Sequence, residues 1–247
     1  MIHGYSGAHG FTLVELAIAL TVIGVLAWIA TDTFGNLNPV ADRATALAHG
    51  EELRSSMRAF ALAHGRLPCP DREGDGLESL EQDACPPELE TGWVPYVSLG
   101  MSQPIPELRA YYGVFRSTDS QADLARAIKR LPGGGPPGSG DLVRGLINAD
   151  RLATDPDRII LTGSGGGDGN PDCVNNPVRN VAWFAVSPLT DRSGSGRRLD
   201  SVHDQPGFPS CAHAPSTPPG YNRDDVVTAE TFSRLASWLQ RHAATSI

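Results

Sequence analysis

Aromatic and charged side chains are scarce in this 247-residue chain, at 6% and 19% of the residues. Basic residues are also outnumbered, because 20 Lys and Arg face 28 Asp and Glu and give a net charge of −8. Nonspecific nucleic-acid binding depends on neutralising phosphates, so this balance argues against nucleic acid as a partner. Only one stretch is apolar enough to span a bilayer, which excludes a polytopic membrane protein.

Common signatures of catalytic sites are missing as well. The glycine-rich run 163–167 is not followed by the Gly-Lys-Ser/Thr that would hold nucleotide phosphates and Mg²⁺. No Gly-x-Ser-x-Gly nucleophile elbow occurs there, because position 162 is threonine. The histidines are scattered, and we expect no enzymatic activity of the chain's own. A membrane-anchored periplasmic enzyme or binding module is the alternative from another class.

The one long apolar stretch covers residues 11–30, with the sequence FTLVELAIALTVIGVLAWIA. Glu15 is its only charged residue. Twenty helical residues rise about 30 Å, the thickness of a hydrocarbon core, so the stretch predicts a transmembrane helix. A cleaved secretory signal peptide is the simpler alternative, although the run is long for one and carries a carboxylate near its start.

Residues 10–16, with the sequence GFTLVEL, resemble the processing motif of type IV pilins and of the pseudopilins of type II secretion. The resemblance implies that a prepilin peptidase removes residues 1–10 by cutting after Gly10 and then N-methylates Phe11. Glu15 would be the fifth mature residue and would neutralise the N-terminal amine of a neighbouring subunit during assembly. The implied partners are other pilin or pseudopilin subunits, prepilin peptidase and an inner-membrane assembly platform. The leader departs from the family pattern, because it contains no Lys or Arg.

Residues 31–64 predict a linker followed by the second half of a spine helix. Glycine, asparagine and Pro39 within 31–39 should loosen or kink the helix. Leu53, Met57 and Phe60 then recur at helical spacing and predict a buried stripe, and Gly65 is placed as a C-cap. The following segment 61–76 looks like the spine–head junction of large minor pilin-like proteins.

The remaining residues, 65–247, predict a globular head. Glycine and proline number 27 and 20, well above their usual combined share of roughly 12%, so the head should be rich in loops. We expect an α+β, pilin-like fold: a long N-terminal helix on a small antiparallel sheet with long, disulfide-linked loops. The predicted strands are 110–116, 158–162, 180–187 and 225–228, and the predicted helices are 123–131 and 229–242.

Four cysteines allow two disulfides in three connectivities. The sequential pairing of Cys69 with Cys85 and of Cys173 with Cys211 closes the smallest loops and is the one we expect. Zinc is the alternative, with Cys211 and His213 as a half-site. No Cys-x-x-Cys or His-x3-His pair accompanies them, however, so disulfides are favoured.

An acidic loop follows the first of these cysteines. Asp71, Glu73 and Asp75 precede Gly76 at the spacing of the first half of an EF-hand, which makes calcium a possible ligand. The twelfth position is Gln82, not the bidentate glutamate that such a loop needs. A solvated acidic turn is therefore the favoured interpretation, and no other cofactor is expected.

Together these features predict a minor type IV pilin involved in pilus assembly or adhesion. Its head is larger than that of typical major subunits, which favours a low-abundance role. The chain should be stored in the bacterial inner membrane as a single-pass protein with the head in the periplasm, and then enter a filament at the cell surface. A minor pseudopilin of a type II secretion system is the alternative within the same class.

Overall fold

The computed structural model describes residues 13–127, 138–163, 171–196, 198–204, 207 and 209–243, and for residues 26–40 it describes the helix but not the side chains. The chain forms two compact units, Met1–Ala44 and Thr45–Ile247. The helices are α1 (Leu13–His64), α2 (Ser139–Asp150) and α3 (Phe232–Ala243). The strands are β1 (Thr91–Trp93), β2 (Tyr111–Val114), β3 (Ile160–Thr162), β4 (Pro177–Asn180), β5 (Trp183–Ser187), β6 (Cys211–His213) and β7 (Val226–Glu230).

Helix α1 runs without a break through the segment 31–39. The expected interruption at Pro39 is therefore wrong. Proline removes a single N–H donor and crowds one preceding carbonyl, so its cost is local. The remaining backbone bonds of a 52-residue helix can continue on both sides of it.

The last turns of α1 bury the predicted apolar stripe. Leu53, Met57 and Ala61 are fully buried, and Phe60 is nearly so. The helix ends at His64 because Gly65 adopts a φ of 64° and its amide donates to the Ala61 carbonyl at 3.0 Å. That geometry is the predicted C-cap, in which glycine takes the left-handed conformation at low cost.

The head contains a four-stranded antiparallel sheet in the order β1-β2-β5-β7. Its central strands are buried along their whole length, which explains their continuous apolar sequence. A second sheet, in the order β4-β3-β6, joins β3 to β6 in parallel. The expectation of a purely antiparallel head is thus only partly confirmed. A parallel pair needs a long crossover, and β4 and β5 lie within this one.

Two predicted elements of the head differ from the structure. The helix expected at 123–131 is absent over its described part, where 123–127 form turns because Asp123 is bound to Arg116 at 2.7 Å. Residues 128–131 lie outside the described part of the chain. The strand expected at 180–187 is divided after Asn180, whose side-chain amide donates to the carbonyls of Asp155 and Ile159. Helix α2 was not predicted.

A buried ionic contact joins the second half of α1 to the last strand of the sheet. Glu230, at the end of β7, is fully buried. Its Oε1 accepts a hydrogen bond from Arg58 Nη2 at 2.6 Å, and its Oε2 lies 3.0 Å from Arg54 Nε. The Arg58 guanidinium also lies 5.4 Å from the ring centre of Trp238 in α3. Two guanidiniums and one carboxylate therefore connect α1, β7 and α3.

Glu230→Gln should destabilise the head by about 3–5 kcal/mol, because Arg58 loses its carboxylate and Arg54 keeps only the exposed Glu51 as an ionic partner. The measurement is denaturant unfolding of the full chain in detergent. Glu52→Gln is the matched control, since Glu52 is an exposed glutamate on α1, the helix that carries Arg54 and Arg58. Equal stabilities for the two variants would contradict a structural role for the Glu230 contact.

Candidate functional site

The predicted processing residues Gly10 and Phe11 lie outside the described residues, which begin at Leu13. Glu15 lies in the first turn of α1 and is exposed. A carboxylate at this position is favoured by the positive end of the helix dipole. The helix dipole therefore explains why a carboxylate is tolerated at Glu15, and it leaves room for a role in assembly.

The side chains of residues 13–25 are all exposed, although most of them are apolar. Leu13 is 86% exposed, and Leu20 and Ile23 are each 61% exposed. A helix that is apolar all round is typical of a membrane or of the interior of a larger assembly.

No helix within the described residues is long and apolar enough to cross a membrane. The transmembrane helix predicted for 11–30 includes residues 11 and 12, which lie outside the described part, and side chains 26–30, which are not described. The membrane span stays a prediction.

Both expected disulfides are present in the head. Cys69 and Cys85 have Cα atoms 5.4 Å apart, and those of Cys173 and Cys211 are 6.0 Å apart, the usual range for this bond. Cys211 belongs to β6, so the second disulfide attaches the turn after residue 171 to the second sheet. The prediction of the sequential connectivity is confirmed, and no cysteine is left for the zinc alternative.

Asp71 organises the acidic loop, for which the sequence makes calcium a candidate ligand. It is fully buried, and its two carboxylate oxygens accept hydrogen bonds from the amides of Gly74 and Gly76 at 2.6 and 2.7 Å. Glu73 and Asp75 are exposed. In the described chain these three residues are not among the groups with carboxylate oxygens close enough to share a metal ion. The loop holds its shape through backbone hydrogen bonds, and calcium binding stays a prediction.

A different acidic cluster forms between the β5–β6 loop and the start of β7. Oxygens of Asp200, Asp224 and Asp225 lie within 4.8 Å of one another, and all three residues are buried. Asp225 Oδ2 lies 2.8 Å from His203 Nδ1 and accepts the Asp200 amide at 2.8 Å. These carboxylates are the described residues that could together hold a cation, and hydrogen bonds from the chain already reach all three.

Burial dominates the electrostatics of this cluster. Burial, reinforced by the charge of Asp225, raises the pKa of Asp200 to about 6. Burial also raises the pKa of Asp225 well above its usual range and lowers the pKa of His203 to about 3. No sequence pattern predicts this cluster. Its local signal is only the Asp224–Asp225 pair, because Asp200 is more than twenty residues away in the chain.

Glu90 is another carboxyl with an unusual pKa, and it is partly buried. It precedes β1, and its Oε1 accepts the Ile159 amide just before β3, so it links the two sheets. Burial raises its pKa to about 7, although the Ile159 amide and Arg158 favour the ionised form.

Comparison with known families gives a match near the N-terminus. Residues 5–31 match the family model described as the prokaryotic N-terminal methylation motif, which is the prepilin-type signal of type IV pilins and pseudopilins. The chain therefore carries the prepilin-type signal that type IV pilins and pseudopilins share. The motif implies processing by prepilin peptidase and assembly with other pilins. Among curated proteins and among solved structures, no match to the chain was found.

Compared with the wild type, Glu90→Gln should stabilise the head at pH 8 and should have little effect on its stability at pH 4. An acid whose folded pKa is raised loses its favourable contribution as the pH rises, here from about 4.5 through about 7. Glutamine cannot ionise and can still accept the Ile159 amide. Unfolding of the full chain between pH 4 and 8 measures the effect.

The matched control for this variant is Glu88→Gln, because Glu88 is an exposed glutamate two residues earlier. It should not produce the stabilisation at pH 8. A Glu90→Gln variant whose stability follows the wild type at every pH would contradict the raised pKa of Glu90.

Proposed function

We propose that this chain is a minor type IV pilin, a structural filament subunit that takes part in pilus assembly or adhesion. The observation that carries the proposal is the prepilin-type signal at 5–31, continuous with a helix whose apolar side chains at 13–25 are exposed. Exposing an apolar helix to water is unfavourable, so lipid would cover this helix before assembly and neighbouring helices would cover it in a filament. One segment thus serves for both storage and assembly.

In this proposal residues 11–30 hold the chain in the bacterial inner membrane as a single span, with the head in the periplasm. The two disulfides support this placement, since disulfides persist in oxidising compartments. The assembly platform then moves the subunit into a filament at the cell surface. The head performs display and contact, with no catalysis of its own.

A minor pseudopilin of a type II secretion system would carry the same signal. The acidic fifth mature residue, Glu15, argues against one tip-type pseudopilin of the family, which usually lacks that residue, and the large head favours a low-abundance subunit. Neighbouring genes separate the two. A retraction ATPase supports the pilus assignment, and a secretin-linked secretion operon supports the alternative.

Gly10→Val should block removal of residues 1–10, because the peptidase of this family cuts after a glycine. Mass spectrometry of the wild-type protein from its native membrane should find an N-methylated Phe11. The variant should retain its leader. Gly7→Val is the matched control, since it adds the same side chain within the leader and should leave cleavage unchanged.

The opposite results would remove the basis of the proposal. An intact Met1 terminus in the wild type, or a terminus near residue 31, would mean that the signal is not used as a prepilin signal. Equal cleavage of Gly10→Val and Gly7→Val would mean the same.

Glu15→Ala should leave membrane insertion and head folding intact while reducing incorporation into filaments severalfold. A carboxylate in hydrocarbon costs about 2.5–3.5 kcal/mol, so its removal does not weaken insertion. Assembly suffers because the Phe11 amine of a neighbour loses its counter-charge. The measurement is the amount of the chain in filaments sheared from cells.

Thr21→Ala is the control for this experiment, because it truncates another polar side chain in the same helix. It should enter filaments normally. If Glu15→Ala enters filaments as well as the wild type does, Glu15 serves only the helix dipole.

A further inference from the structure

A cleft of about 280 Å³ lies on the head beside the end of β1. One side is the short 3₁₀ turn Pro106–Leu108, and the other is the loop that follows β5. Its walls include the apolar surfaces of Trp93, Pro188 and Leu199. Two arginines, Arg109 and Arg198, line the same cleft. An apolar wall combined with a few charged groups is the usual composition of a small-ligand site.

The acidic loop lies against two of the lining residues, Arg109 and Trp93. Gly74 has a φ of 76°, and a Cβ at this position would lie 2.8 Å from Arg109 Nη1 and 3.4 Å from Trp93 Cδ1. The positive φ favours glycine at this position, and a larger residue would also have to displace the end of the Arg109 side chain. Asp71 fixes Gly74 by accepting its amide, and Gln103 donates to its carbonyl at 2.9 Å. The loop holds Arg109 and Trp93 side by side.

The two guanidiniums keep most of their hydrogen-bonding capacity. Arg109 Nε donates to the Pro104 carbonyl at 3.5 Å, and Arg198 Nη1 donates to the Leu189 carbonyl at 3.0 Å. In the part of the chain that the structure describes, neither forms an ion pair with a carboxylate. A guanidinium has five N–H donors and matches a carboxylate in a bidentate manner.

We propose that this cleft binds a small carboxylate carried on a six-membered ring, with the ring against Trp93 and the carboxylate on Arg109 and Arg198. The volume lies just below the range of about 300–1,000 Å³ typical of drug-sized sites, which suits a ligand the size of a monosaccharide or a benzoate. The proposal goes beyond the filament role and does not depend on it.

The exposed carboxylate of Glu107 lies on the rim of the same cleft. It opposes the charge of an anionic ligand and weakens binding. Removing the Glu107 charge should therefore strengthen anion binding, whereas removing the charge of either arginine should weaken it.

Titrations of the full chain in detergent, followed by ligand-observed NMR, test the proposal with glucuronate, benzoate and glucose. Glucuronate or benzoate should bind with a dissociation constant of about 1 mM or below, and neutral glucose should not. Arg109→Gln and Arg198→Gln should each weaken binding roughly tenfold, the loss expected for a charged hydrogen bond. Glu107→Gln should strengthen it.

Arg126→Gln is the matched control, because Arg126 is exposed and lies outside the cleft. Thermal unfolding of each variant checks that the head remains folded. Binding of glucuronate alone assigns an acidic sugar, whereas binding of both anions assigns ring carboxylates in general. The proposal is overturned if neither anion binds, if glucose binds equally well, or if Arg126→Gln weakens binding as much as Arg109→Gln does.

Discussion

The buried carboxylate of Glu230 is the contact on which the arrangement of the head depends. It ends the last strand of the sheet, and its charge is compensated by Arg54 and Arg58 from the spine helix. A buried charge without such partners costs several kcal/mol, so the contact permits one placement of the helix against the strand. Burial of the apolar stripe around Leu53 and Met57 holds α1 against the head, but it does not fix the orientation of the helix, because apolar burial is not directional. The ionic contact with Glu230 fixes that orientation.

The loops of the head are held against its apolar core by other means than apolar burial alone. Loops that cannot bury enough apolar surface are fixed instead by two disulfides and by buried polar groups. Arg116 is one example: it pairs with Asp123 and donates to the carbonyls of Pro86 and Leu89 beside the first disulfide. Asp71 likewise fixes the acidic loop by accepting the amides of Gly74 and Gly76. Such a head can present loops of fixed shape, which suits the proposed display on a filament.

Local signals predicted part of this structure well. The helical stripe, the Gly65 cap and both disulfides were predicted, because each depends on spacing within a short segment or on simple pairing arithmetic. The motif at 10–16 was predicted for the same reason. Interruption at Pro39 was wrong, since a long helix tolerates a local defect. The parallel β3–β6 pair and the Asp200–Asp225 cluster were missed, because residues far apart in sequence form them and no local pattern reveals the pairing.

In the proposed filament, the exposed apolar helix is covered by the same segment of other subunits. Photo-crosslinking in cells that assemble filaments tests it most directly, with a photoreactive residue in place of Ile18, which is 58% exposed. We expect a protein product that joins this chain to the N-terminal helix of another prepilin-type subunit. The same label at Val174, an exposed position on the head, should not give that product. The absence of any protein product from position 18 in filaments would contradict the account.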